Sequence, residues 1–217
     1  YNPTGFFIDT AGNIYIADTQ NHRIQKWAPN AEAGVTVAGG NGEGRELNKL
    51  GNPRGVTVDP QGNIYVADGY YGRIQKWEPG AIQGTTVLEG LDYATDIFLD
   101  VNGNIYVLES NGYVLKKYLP NTTYGSVVAG GQNGSNANNL NQPENFFVDE
   151  IGNIYISDSG NQRIQKYDFS PQLVILAGET VAELLFSGIQ DTRDELDETI
   201  ILNPTPTNAV LEITDPL

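Results

Sequence analysis

The residues best suited to chemistry lie in two places. Asp18 and Arg23, Asp68 and Arg73, and Asp158 and Arg163 recur as carboxylate and guanidinium at one constant spacing. A planar guanidinium grips a carboxylate with directional bonds, so such pairs either clasp a hairpin or ring a binding site with charge. A parallel position carries Glu109 and Val114 instead, a loss that a repeated structural clasp tolerates more easily than a catalytic ring. The second place is the acidic run Asp191, Asp194, Glu195, Asp197 and Glu198. Several carboxylate oxygens on a short loop suit a hard cation such as calcium, and the same composition also makes a solvated turn. The single histidine, His22, stands beside Arg23, but Gly72, Tyr113 and Gln162 fill its place elsewhere, which marks it as a loop residue. One histidine and no cysteine exclude three-histidine and thiolate zinc sites and cysteine nucleophiles. There is no Gly-x-Ser-x-Gly elbow, phosphate loop or His-Glu-x-x-His helix.

The elements that position the pairs are copies of one phrase. "GNIYIADTQNHRIQKW" at Gly12 returns as "GNIYVADGYYGRIQKW" at Gly62, "GNIYVLESNGYVLKKY" at Gly103 and "GNIYISDSGNQRIQKY" at Gly152. Spacings of 50, 41 and 49 residues match a propeller blade. Each unit reads as four strands, with an Asp-x-x-Gly-Asn turn after the first, where glycine supplies positive φ. That turn mimics part of a calcium loop but lacks its distal glutamate, so it reads as a plain hairpin. The "NIYIAD" strand is apolar on both faces, which implies burial between stacked sheets. Trp27, Trp77, Tyr118 and Tyr167 close the third strand; they either pack between blades or offer a sugar-stacking platform. Long polar links, "NGEGRELNKLGNPRG" and "QNGSNANNLNQPEN", alternate with the short "LDYAT".

On these residues, Asn2 to Tyr167 resembles NHL repeats, most fully in "GNIYIADTQNHRI". The resemblance implies an all-β propeller of four-stranded blades around a channel, with the four visible blades forming part of a larger ring. After Tyr167 the pattern changes. "VILAGETVAELLFSGIQDTRDELDETIILNP" and the terminal "AVLEITDPL" resemble the second half of a Calx-beta domain, a partial immunoglobulin-like β-sandwich. The domain reading is therefore residues 1–170 for the blades and 171–217 for the sandwich segment. In that resemblance Asp191, Glu195, Glu198 and Asp215 fall where calcium ligands occur, while Gln190 and Pro216 depart from the pattern.

A net charge of -15 and a pI of about 4.2 repel a phosphate backbone, which argues against nucleic acid. No apolar run is long enough to span a bilayer, so membrane insertion is not expected. The resulting expectation is a non-enzymatic binding or scaffold module of a larger secreted or cell-surface protein, bacterial by its pairing of repeat types. Its partners would be a protein or glycan on the propeller loops, and the missing parts of the parent chain or another subunit. The alternatives are a carbohydrate-binding adhesin module and a propeller lyase or lactonase using a metal at the channel mouth.

Overall fold

A computed structural model describes residues 1–149 and 152–168. They form four antiparallel sheets, one per repeat unit. Blade 1 comprises β1 (Phe6–Ile8), β2 (Ile14–Asp18), β3 (Arg23–Trp27) and β4 (Val35–Gly39). Blade 2 comprises β5 (Pro53–Val58), β6 (Ile64–Asp68), β7 (Arg73–Trp77) and β8 (Thr85–Glu89). Blade 3 comprises β9 (Ala94–Leu99), β10 (Ile105–Glu109), β11 (Val114–Tyr118) and β12 (Gly125–Gly130). The described part of blade 4 holds β13 (Pro143–Val148), β14 (Ile154–Asp158) and β15 (Arg163–Tyr167). Within each sheet the strands pair in chain order, so the expectation of consecutive propeller blades holds.

The first strands of successive blades pack beside one another and are therefore innermost. That close approach needs glycine: a Cβ on Gly5 would lie 2.3 Å from the Arg54 carbonyl oxygen, and one on Gly55 would lie 2.8 Å from Asp96 Cα. Between blades the apolar side chains form three cores. Tyr15 and Ala17 of blade 1 meet Val56, Ile64, Val66 and Trp77 of blade 2. Ala67 and Ile74 meet Ile97, Val107 and Tyr118. Tyr106, Leu108 and Leu115 meet Ile154 and Ile156. Blades 2 and 3 thus use one face against their predecessor and the other against their successor, which is why their second strands have no polar side. Trp77 and Tyr118 are buried in these cores.

The Asp-x-x-Gly-Asn turn is held by its own aspartate. Asp9 Oδ1 accepts from the Asn13 backbone at 2.8 Å, while Oδ2 accepts from the Asn13 amide at 2.8 Å and the Tyr15 hydroxyl at 3.2 Å. Gly12, at φ +80, closes the turn. Asp59, Asp100 and Asp149 make the same set. These turns lie at one end of the blades. The hairpin between second and third strands and the link between blades share the opposite end, hereafter the loop face.

Candidate functional site on the loop face

The repeated acid and base pairs stand at the loop face because they are cross-strand partners in the last register position of the hairpin. Arg23 Nε donates to Asp18 Oδ2 at 2.7 Å, Arg73 Nε to Asp68 Oδ2 at 2.9 Å, and Arg163 Nε to Asp158 Oδ2 at 2.7 Å. Each hairpin turns through a residue in the left-handed region: His22 at φ 53, Gly72 at 59, Tyr113 at 54 and Gln162 at 54. The shared requirement at that position is backbone shape, which explains its free variation in side chain. His22 Nδ1 additionally reaches the Gly51 carbonyl oxygen.

The other carboxylate oxygen anchors the incoming link. Asp68 Oδ1 accepts from Gly51 N at 2.7 Å, Asp158 Oδ1 from Asn141 N at 2.6 Å, and Glu109 Oε2 from Asp92 N at 2.8 Å. In blade 1 the backbone nitrogen of Tyr1 takes the same role with Asp18. Blade 3 replaces arginine by Lys116, whose Nζ lies 2.9 Å from Glu109 Oε1. Burial pushes the Asp68 carboxyl above its ordinary range despite Arg73 and Gly51 N. At Asp158 burial also pushes upward, but Asn161, Asn141 N and Arg163 prevail and hold it below that range. In each pair the carboxylate therefore bonds both the arginine across the hairpin and a backbone nitrogen that precedes the blade's first strand.

The loop-face links differ in length, and this difference makes a groove. The long links 40–52 and 131–142 fold over the loop face, each closed by a short parallel bridge, Glu43 with Leu50 and Asn133 with Leu140. Leu50 and Leu140 are fully buried anchors. Between blades 2 and 3 the link is only residues 90–93, and a groove of about 1060 Å³ stays open there. Arg45, Tyr70, Tyr71, Arg73, Glu89, Asp92, Tyr93 and Asn111 line it. Tyr70 is 60% exposed and meets Tyr71 edge to face, with ring centroids 5.1 Å apart. Arg45 lies 5.5 Å and Arg73 5.6 Å from the Tyr71 ring centroid. Arg54 covers the Tyr93 ring at 5.4 Å and its Nη1 donates to the Tyr93 hydroxyl at 3.1 Å.

The groove residues were not singled out by spacing. The signal available in the sequence is that Tyr70 and Tyr71 replace the polar Gln20-Asn21 and Gly160-Asn161 of the other copies, next to the one short link. Among the described residues no group of three or more His, Asp or Glu is placed to hold a metal ion. Asp191, Glu195, Glu198 and Asp215 lie outside the described residues, as does the whole sandwich-like segment.

No curated protein matches the chain in sequence. In solved structures the fold is similar to a streptogramin B lyase, with a TM-score of 0.53 and 13% identity over 78% of this chain and 55% of that one. It is similar to a catalytically inactive virginiamycin B lyase from Staphylococcus aureus bound to quinupristin, at 0.51 and 13% over 77% and 55%. A protein of unknown function from Bacteroides thetaiotaomicron gives 0.61 and 18% over 76% and 46%. The chain thus spans about half the length of these structures. The expectation that this is not an enzyme is corrected by the two lyases: their blade architecture supports catalysis, so the fold gives no ground for excluding it. At these identities the likeness is one of fold, and it carries no residue or substrate across. The NHL repeat family matches residues 1–27 and 50–77, which are blades 1 and 2 up to their third strands. Two of the repeat units therefore match the NHL repeat, and the four units form consecutive blades of a β-propeller fold.

Proposed function

We propose that the chain is a ligand-binding propeller segment whose site is the groove between blades 2 and 3, and that its ligand is a carbohydrate. One observation carries this reading: the exposed Tyr70, with Tyr71 and Tyr93, borders a groove whose lining also includes Arg45, Arg73, Glu89, Asp92 and Asn111 beside Leu47 and Leu91. Tyrosine rings give the apolar faces of a sugar a surface to lie on, and they lose few rotatable bonds in doing so. The charged and amide groups at the rim supply donors and acceptors for hydroxyls. The test is a glycan array followed by titration with Tyr70→Ala and Tyr93→Ala. A glycan whose affinity falls at least tenfold in both variants is the expected result. Failure to bind any glycan, or equal binding by both variants, removes the reading.

A second reading is favoured by the likeness to lyases. Here the groove would hold a substrate of the streptogramin B kind, with the groove-lining Glu89 and Asp92 as the groups able to take a proton. Chromatography of quinupristin incubated with the chain, with and without divalent metal, decides it; unchanged substrate eliminates it.

The proposal also places the module in a larger secreted or surface-displayed protein, with calcium at Asp191, Glu195, Glu198 and Asp215. The supports are the Calx-beta resemblance of the last segment and the acidic composition.

A further inference from the structure

The third strands of blades 2 and 4 do more than fasten their own hairpins, because they hold the link arriving from the blade before. Arg73 donates to the carbonyl oxygens of Arg45 at 2.6 Å and Lys49 at 3.0 Å, and Gly84 N donates to that of Leu47 at 2.8 Å. Arg163 donates to the equivalent Ser135 at 2.8 Å and Asn139 at 2.9 Å, while Gln165 reaches Ala137 at 2.7 Å and Asn139 at 3.1 Å. Blade 3 receives the short link 90–93, and it carries Val114 and Lys116 where the arginine and glutamine would stand. The holding pair therefore goes with a long incoming link.

Blade 1 carries the complete holding set, Arg23, Gln25, Trp27 and Gly34, around an open cleft of about 470 Å³. Gln25 Oε1 is buried and has no hydrogen-bond partner, an orphaned acceptor whose cost a backbone N–H of a docked segment would remove. The sheet face beside the cleft is apolar and open: Phe6 is 69% and Ile8 53% exposed. The equivalent Val56 in blade 2 is 4% exposed because blade 1 covers it. Tyr1 N occupies on Asp18 the position that Gly51 N and Asn141 N occupy at the ends of the long links.

We propose that this cleft is a docking site for the long link of a further blade of the same kind, seated on Phe6 and Ile8 and entering through Tyr1. Its ligand class is a polypeptide loop presenting backbone carbonyls to Arg23 and to the Gln25 amide nitrogen and a backbone N–H to Gln25 Oε1, with a sheet behind it. A second copy of the chain fits less well, since its links 40–52 and 131–142 already engage Arg73 and Arg163.

Trp27 borders the cleft and reports on it, while Trp77, its counterpart, is already covered. In Trp77→Phe chains, acrylamide quenching of Trp27 fluorescence is compared between residues 1–217 and a fusion carrying a copy of residues 94–140 ahead of Tyr1. In that fusion Tyr1 takes the place of Asn141. The expected result is ready quenching in the first and a severalfold lower quenching constant in the second, with Arg23→Ala plus Gln25→Ala restoring quenching in the fusion. Equal quenching in a fusion that melts cooperatively overturns the proposal. If the fusion does not fold, quenching of the 217-residue chain with its mass from light scattering still decides. An exposed Trp27 is required, and a Trp27 shielded in a monomer or by self-association overturns it.

Discussion

Arg73 and Asp68 face each other across the end of one hairpin, Nε to Oδ2 at 2.9 Å, and both are buried, whereas the same two residue types in blade 1 leave Arg23 35% exposed. The difference comes from the link 40–52, which lies over Arg73 and takes its remaining donors. Removing one member of a buried, hydrogen-bonded pair strands the other charge, so Arg73→Ala is expected to cost about 3–5 kcal/mol. Arg23→Ala, nearer solvent, should cost about 1 kcal/mol or less. Denaturant titration of both variants measures this, and hydrogen exchange should show the link 40–52 opening only in the first.

A pH dependence follows from Asp96 on the innermost strand β9. Its carboxylate bridges blades, accepting from Phe146 N at 3.0 Å and Ile97 N at 2.9 Å, and burial pushes its pKa up to about 6. Unfolded aspartate titrates near about 3.9. Between those values the folded chain holds a proton that the unfolded chain has released, so stability falls as pH rises through the window and levels off above it. Asp68, also raised by burial, acts in the same sense. Asp158, which is lowered, acts oppositely, losing stability as pH falls below about 3.9. Denaturant midpoints at about pH 4.5 and about pH 7.5 should differ in the intact chain and differ less in Asp96→Asn.

Two glycines of blade 2 should respond in opposite ways. A Cβ on Gly84 would lie 2.7 Å from Trp77 Nε1 and 2.5 Å from Gln75 Oε1, so Gly84→Ala is expected to cost about 1–3 kcal/mol by overpacking. Gly80, at φ +76, has nothing within 4 Å of its Cβ position. Asn30 and Asn121 hold the corresponding place in blades 1 and 3 at φ 60 and 59. Gly80→Asn should therefore change stability by less than about 0.5 kcal/mol. Thermal melts of the two variants check the contrast.

Calcium is expected at the acidic run near the carboxyl end. Calorimetric titration should give a heat that disappears when Glu195 and Glu198 are both changed to glutamine, since the change removes two charges while keeping the side-chain size. An unaltered heat in the double variant would move the site elsewhere.

The repeat phrase by itself determined the blades, their strand order and the pairing of Asp18 with Arg23, Asp68 with Arg73 and Asp158 with Arg163. These features are local: a glycine turn, an alternating strand and a hairpin register depend on residues a few positions apart. Tertiary structure decided burial and the groove. "RIQKW" occurs unchanged in blades 1 and 2, yet Trp77 is 2% exposed and Trp27 borders an open cleft, because burial depends on the neighbouring blade. Arg54 of blade 2 likewise meets Tyr93 of the link 90–93, and Asp96 bonds Phe146 from the next sheet. Such juxtapositions follow from how one blade is rotated and seated on another. They depend on close packing among residues far apart in the chain, and no short stretch of sequence contains that information.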